Sequence, residues 1–243
     1  MLKKASADLS KYFILFLVFS LFNRVETQNL NYSLDWESGN FIVDAKNLMR
    51  NLTLQNGHHL LSGEGFEGNI LLSSATSISL TESLPSMPLF STLYHVSENL
   101  WMGGLFSGYM AGDNVIILSG YVMELMPGDI SQGKVPLCLE LSRRSLDGAN
   151  DFSLKTIGIS LTKRTNFNSI LLRYGISSSF FDVIFRSKPY DFQESLPNRL
   201  KGQVNSIIGT AELSYGKFIS GLKLNLTNKG VSFMISISAL LKS

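Results

Sequence analysis

The last segment of the chain alternates between apolar and mostly polar positions. Every odd position from Val231 to Leu241 is apolar, whereas most even positions are Ser or Lys. Successive side chains of a β-strand point to opposite faces. The pattern therefore predicts a terminal strand with one apolar face and one largely polar face.

Similar short runs follow one another from about Asn69 onward. Clear alternation covers residues 137–141, 157–161 and 222–226. Less regular runs, some of them apolar on both faces, cover residues 88–97, 98–110, 114–126, 168–182 and 204–215. Turn signals such as Asp147-Gly148 and Asn228-Lys229-Gly230 separate them. The pattern predicts about ten antiparallel strands, with a long loop over residues 187–203.

Residues 41–56 do not follow this alternation. Asp44 is placed to cap a helix, and apolar side chains then recur at helical spacing, at Ala45, Leu48, Met49 and Leu52. The segment is predicted either as a short helix that plugs or borders the strand domain, or as the start of a strand at Leu52.

The first 27 residues resemble a targeting segment. Lys3, Lys4 and Lys11 accompany an apolar stretch over 12–22, which is shorter than the roughly 20 apolar residues that a spanning helix needs. A cleaved signal peptide over 1–27 is predicted, with an uncleaved anchor as the alternative. An N-terminal segment over 28–68 and a β-domain over 69–243 follow.

Removing residues 1–27 takes away four of the 21 basic and two of the 19 acidic residues, which leaves seventeen of each. A neutral chain gives no basis for a nucleic-acid partner. The single cysteine, Cys138, excludes an intramolecular disulfide framework and is interpreted as a small hydrophobic side chain. No cofactor and no metal site are predicted.

Two motifs look chemical but lack the context that the chemistry needs. Residues 63–68 match G-x-G-x-x-G, yet a strand rather than a helix is predicted after them. Residues 128–134 match the start of a P-loop, but Val135 stands where a Mg²⁺-binding hydroxyl is required. Both are interpreted as loops, and adjacent His58 and His59 are interpreted as an ordinary exposed pair.

One-sided alternation fits a soluble sandwich as well as a membrane barrel. If the apolar face points outward, an opposing set of nearly balanced charges points inward, namely Glu140, Arg144, Arg173, Glu212 and Lys223. Lys155 and Lys163 bracket an apolar band and could reach lipid headgroups. Aromatic residues near predicted strand ends could form interfacial girdles; these are Trp101, Tyr109, Tyr121, Tyr174, Tyr215 and Phe218.

Only 16% of residues are charged, which further favours the barrel. At the level of this pattern, residues 69–243 resemble bacterial outer-membrane β-barrel proteins. The resemblance implies an all-β, antiparallel up-and-down transmembrane barrel in the outer membrane. It also implies outer-membrane lipid and the barrel assembly machinery as partners, the latter through the strand from Val231 to Leu241. The family's terminal aromatic residue is absent, since the chain ends Leu241-Lys242-Ser243.

The function predicted from these features is structural, adhesive or narrow transport, without catalysis. His95 is the candidate that a hydrolase would need, but no nucleophile-elbow signature accompanies it. About ten strands are too few to hold open a large diffusion pore. Residues 63–68 and 187–203 are candidates for contacts outside the membrane. The alternative is a soluble periplasmic or secreted β-protein that binds a lipid or another apolar ligand.

Overall fold

The strands of the β-domain close into a single barrel. The structure is a computed structural model and describes residues 34, 36, 40–56, 70–79, 87–111, 114–127, 137–167, 170–186 and 197–241. The elements in chain order are α1 (Phe41–Asn56), β1 (Ile70–Ser79), β2 (Met87–Ser97), β3 (Leu100–Ala111), β4 (Asn114–Leu125), β5 (Leu137–Asp147), β6 (Phe152–Phe167), β7 (Ile170–Phe185), β8 (Arg199–Tyr215), β9 (Phe218–Leu226) and β10 (Val231–Leu241).

Each strand pairs antiparallel with its neighbours in the chain, and β1 pairs with β10. The closing ladder runs from Ile70 opposite Leu241 to Ser79 opposite Ser232. Closure pairs both edge strands of the sheet, which removes the long open edges that a flat sheet would have. The prediction of an antiparallel barrel of about ten strands is confirmed.

The terminal strand β10 turns its apolar face outward. Ser232, Ser236 and Ser238 are buried inside the barrel, whereas Ile235 and Leu241 are exposed on the wall. A sandwich would bury the apolar face in its core instead. The direction of the alternation thus makes the outside of the barrel apolar, as lipid contact requires.

The two ends of the barrel differ in outline. We call the end where β1 begins and β10 ends the lower rim, and the opposite end the upper rim. β6, β7 and β8 have 16, 16 and 17 residues, whereas β9 has 9. Ile207 of β8 is already opposite Leu226, the last residue of β9. The part of β8 before Ile207 therefore rises above β9 at the upper rim.

The helix α1 lies inside the upper half of the barrel. Ala45, Met49 and Leu52 are buried there against side chains of the surrounding strands, so residues 41–56 are helical rather than the start of a strand. The predicted cap at Asp44 is wrong, because the helix already begins at Phe41. The carbonyl of Asn40 accepts the N–H groups of Val43 and Asp44, which places Asp44 in the first turn. Among the described helices, none has the length and apolarity needed to cross a membrane.

The predicted loop over 187–203 extends too far. Residues Arg199 to Gln203 belong to β8 and pair with β7, from Arg199 opposite Ile184 to Gln203 opposite Phe180. Their polar composition hides the strand in the sequence, because this part of β8 exposes charged side chains on its outer face.

Four other predicted features lie outside the described residues. They are the signal segment 1–27, the Gly-rich residues 63–68, the P-loop-like residues 128–134 and the pair His58-His59.

The first prediction concerns α1 as part of the core. Met49→Ala removes a side chain that is 0% exposed, and we expect it to lower the free energy of unfolding by about 2–5 kcal/mol. Ile42→Ala, in a side chain that is 49% exposed, is the matched control and should change stability by about 0.5 kcal/mol or less. Guanidinium unfolding in detergent micelles measures both. Equal effects of the two substitutions would contradict the interior position of α1.

Candidate functional site in the barrel interior

The barrel interior is filled by two layers of different chemistry. The upper layer is built around an apolar cluster that joins α1 to inward side chains of the strands; its largest members include Phe41, Met49, Leu52, Phe152, Phe181 and Phe185. Trp36 stacks on Phe41, with ring centroids 4.9 Å apart, and also contacts Phe185. The backbone N–H of Leu34 donates to Oδ2 of Asp151 at 2.7 Å, which ties the chain before α1 to the turn between β5 and β6.

The lower layer combines a second apolar cluster with a set of buried charges. The apolar cluster consists of Leu71, Leu93, Trp101, Val122, Met126, Cys138, Ile219 and Leu240. Among the residues that the structure describes, the buried charged ones are three carboxylates and three cations: Glu124, Glu140, Glu212, Arg144, Arg173 and Lys223. We call these six residues the lumen charge cluster. Its balance matters because an unpaired charge inside a barrel would lose its hydration without compensation.

Arg173 of β7 is the centre of the lumen charge cluster. Its guanidinium group forms an ion pair with Glu124 of β4, and its Nε atom lies 3.3 Å from Oε1 of Glu212 on β8. All three side chains are at most 5% exposed. The pairing with Glu124 crosses the lumen rather than following the sheet, so Arg173 joins two strands that are not neighbours in the barrel.

A second group surrounds Glu140 on β5. Ser160 donates a hydrogen bond from Oγ to Oε2 of Glu140 at 2.9 Å, and Arg144 lies 4.0 Å from the same carboxylate. The Cys138 thiol, two residues before Glu140 on β5, donates to Oε1 of Glu124 at 2.8 Å. The contacts therefore form two groups of polar side chains, one around Arg173 on β4, β5, β7 and β8 and one around Glu140 on β5 and β6.

Strand register explains why the group around Arg173 and the group around Glu140 lie side by side. Glu124 of β4 is directly opposite Glu140 of β5, and Glu140 is opposite Ser160 of β6. Two adjacent inward carboxylates repel each other unless cations lie close to both. Arg144 and Arg173 supply those cations, one to each carboxylate.

The structure places all five predicted inward charges in the interior. The contacts given above join four of them in two pairs, Glu140 with Arg144 and Arg173 with Glu212. Lys223 is buried as well. Glu124 is the member that sequence reasoning missed. It lies in the run 114–126, which is apolar on both faces and hides the direction of alternation. A signal was present, because Glu124 is the only charged residue between Val115 and Leu125 and needs an inward partner.

The predicted interfacial anchors divide into several groups. The prediction that Trp101 is an interfacial anchor is wrong. Its side chain faces the interior, is 2% exposed and stacks on His95 with ring centroids 4.5 Å apart. Its position opposite His95 at the start of β3 puts it on the inward side of the alternation. Tyr174 and Tyr215 are exposed on the outer wall. Tyr121 also faces outward, four residues before the end of β4.

Tyr109 lies within β3, but its side chain is outside the described part of the chain. Lys155 and Lys163 are both exposed on the outer face of β6. Ile157, Ile159 and Leu161 lie between them, also exposed, so the two ammonium groups flank an apolar stretch of wall.

This interior has the character of a packed core. Within the part of the chain that the structure describes, no group of three or more His, Cys, Asp or Glu side chains could hold a metal ion. The lumen charge cluster instead connects strands that are distant in the chain.

The fold and its apolar outer wall define a closed ten-stranded β-barrel with a filled lumen. No family model and no curated protein matches the sequence. Solved structures that it resembles are bacterial outer-membrane β-barrels. They include the KdgM porin, at 6% identity over 70% of this chain and 98% of that chain, with a TM-score of 0.36. The outer membrane protein Ail of Yersinia pestis matches at 11% identity over 71% and 99% of the two chains, with a TM-score of 0.32.

The translocator domain of the autotransporter NalP from Neisseria meningitidis matches at 10% identity over 80% of this chain and 95% of that chain, with a TM-score of 0.37. At these identities and scores the likeness extends to barrel architecture alone.

The second prediction concerns Arg173. Arg173→Met leaves two buried carboxylates without their cation, and we expect it to lower the free energy of unfolding by about 3–5 kcal/mol. Adding Glu124→Gln should recover part of the lost free energy of unfolding, because one of the two buried, unpaired carboxylates is then removed. Guanidinium unfolding in detergent micelles gives the comparison.

Arg199→Met is the matched control for Arg173→Met. It breaks the ion pair with Asp182 on the outside of the barrel, where water screens the charges, and should leave the unfolding midpoint unchanged. If Arg173→Met were as mild as this control, the lumen charge cluster would not brace the barrel.

Proposed function

We propose that this protein is a lumen-filled β-barrel of a bacterial outer membrane, with a structural, membrane-anchoring role and no catalytic activity. The observation that carries the proposal is that packed side chains occupy the interior in both halves. Below α1 and its apolar surroundings lies a second apolar cluster beside the lumen charge cluster.

The outer wall supports the membrane location. Large apolar side chains are exposed on all ten strands, a distribution that water would penalise and lipid would accept. Leu72 on β1, Ile157 on β6 and Leu222 on β9 are 41%, 57% and 49% exposed. The same exposure argues against the alternative of a soluble periplasmic or secreted protein.

The upper half of the interior supports the structural role. A large cluster of apolar strand side chains packs there directly on α1. A conducting pore needs a polar lining and a continuous water path. Withdrawing α1 would instead expose apolar side chains of the strands, so we interpret the helix as a permanent part of the core.

The upper rim is the candidate for contacts outside the membrane. β6 to β8 rise above β9 there, and two exposed ion pairs lie at this level. They join Arg186 to Asp147 and Arg199 to Asp182. An adhesive role would use this raised, charged region, together with residues 187–196, which lie between β7 and β8 in the sequence.

Narrow transport is the second candidate function, and the lumen charge cluster is the observation that favours it. Charged side chains line ion pathways in other membrane proteins, and a rearrangement of Arg173 could open one. In the structural role, by contrast, Arg173 stays in place and serves only to join the strands.

The third prediction separates these two functions by conductance in planar lipid bilayers. The folded protein should produce no stepwise conductance. If the lumen charge cluster is structural, the Arg173→Met variant should also produce none. New steps with Arg173→Met but not with Arg199→Met would favour narrow transport. Stable steps with the unaltered protein would contradict the filled-lumen proposal.

Two accompanying measurements check the membrane location. The folded barrel should migrate faster than its boiled form on a detergent gel, and it should stay in the membrane fraction after a carbonate wash. Release by carbonate into detergent-free solution would contradict membrane embedding. A bilayer experiment without conductance counts as support only when the gel confirms the folded form.

A further inference from the structure

Charge is distributed unevenly around the outer wall. Among the described strand side chains that face outward, those of β1–β4, β9 and β10 include no charged residue. The outward charges all lie on β5–β8; they are Arg143, Asp147, Lys155, Lys163, Asp182, Arg199 and Lys201. Outward charge is thus confined to one side of the wall.

An apolar groove lies on this charged side. It has a volume of about 760 Å³ and runs along the wall over β5 to β9. Leu139, Leu161, Ile176 and Ile207 line its lower part. Ile176 and Ile207 are 63% and 62% exposed, which makes the groove open to the surrounding hydrocarbon.

Polar side chains replace apolar ones toward the upper rim of the groove. Ser178 and Asn205 lie on its wall, and Ser178 Oγ donates to Asn205 Oδ1 at 2.9 Å. Gln203 Nε2 donates to Ser178 Oγ at 2.9 Å and to Asn205 Oδ1 at 2.8 Å. These bonds use both N–H groups of Gln203 and the hydroxyl proton of Ser178, so the Nδ2 group of Asn205 remains to donate to a ligand.

A row of charges crosses the strands above this network. Lys155, Asp182 and Lys201 are consecutive cross-strand partners on β6, β7 and β8. Arg199 engages Asp182 through two hydrogen bonds, one of them from Nε at 2.6 Å. Three cations therefore surround one carboxylate, and the row has an excess of positive charge.

The spacing between row and groove suits one amphipathic molecule. Lys155 precedes Ile159, which lines the groove, by four residues on β6, a separation of roughly 13 Å at the usual rise of a strand. Lysine stems can shorten this distance, since they extend along apolar surface toward a headgroup. An acyl chain in the groove would thus place its headgroup at the row.

We propose that this groove is a binding site for an anionic, phosphate-bearing membrane lipid. One acyl chain occupies the groove, and the phosphate lies against Lys155 and Lys201, above the hydrogen-bonded side chains of Gln203, Ser178 and Asn205. The inference rests on the membrane location proposed above. It goes further, because it assigns a headgroup preference and a place on the wall.

A second groove on the opposite side provides an internal comparison. It has a volume of about 590 Å³ and is lined by Leu72, Phe90, Phe106 and Ile237 among others. The strands around it contribute no outward charge among their described side chains. It offers an acyl chain a similar apolar surface but gives a phosphate no cation, so it should not discriminate between headgroups.

The fourth prediction is tested by native mass spectrometry of the folded protein in detergent. The protein is titrated with phosphatidylglycerol and, separately, with phosphatidylcholine of identical acyl chains. Phosphatidylglycerol should bind in preference at one site. Because a cation near an anionic headgroup contributes about fivefold to affinity, Lys155→Gln and Lys201→Gln should each weaken binding by about that factor.

Matched variants locate the site. Lys163→Gln, at the other end of the same face of β6, should leave the preference for phosphatidylglycerol intact. Ile207→Trp fills the charged-side groove and should reduce binding of this lipid, whereas Ile237→Trp, in the second groove, should not. The gel test confirms that every variant is folded.

Equal retention of the two lipids by the folded protein would overturn the proposal. So would an unchanged preference in the Lys155→Gln, Lys201→Gln double variant, or an equal loss in Lys163→Gln. These outcomes are distinct from failure of the membrane location, which would appear as a protein that is soluble without detergent and shows no heat-dependent migration.

Discussion

Pairing between β1 and β10 is the interaction on which the rest of the structure depends. In hydrocarbon no water is present to satisfy a backbone N–H or C=O group, so a sheet with open edges is excluded. The ladder from Ile70 opposite Leu241 to Ser79 opposite Ser232 removes both edges. Once the sheet is closed, the alternation of every strand sorts its side chains into a wall and an interior.

Closure with ten strands leaves an interior that is narrow, but wider than that of an eight-stranded barrel, which strand side chains alone can fill. The structure fills it in two ways. In the upper half, Met49 and Leu52 of α1 add apolar volume that the strands lack. In the lower half, long charged side chains reach across the lumen, and Arg173 joins Glu124 and Glu212. Because side chains occupy the interior, the outer wall and the upper rim are the surfaces that other molecules can contact.

Much of the fold was predictable, because lipid and interior impose opposite polarity on alternate residues. The strands around 137–141, 157–161 and 222–226 alternate cleanly, and so their inward charges, such as Glu140 and Lys223, could be chosen from the sequence. The prediction failed where both faces are apolar. Glu124 was missed and Trp101 was assigned to the wrong side, since β3 and β4 contribute apolar side chains to the interior as well as to the wall.

The sequence by itself determined the strand architecture, the outward direction of the terminal strand once a barrel is assumed, and the near balance of interior charge. These are local properties, set by a period of two residues and by composition. Only the tertiary structure decided that α1 lies inside the barrel, that Arg173 faces Glu124, and that Lys155, Asp182 and Lys201 form one row. Each of these depends on the register between strands and on closure, which bring together residues that no local pattern relates.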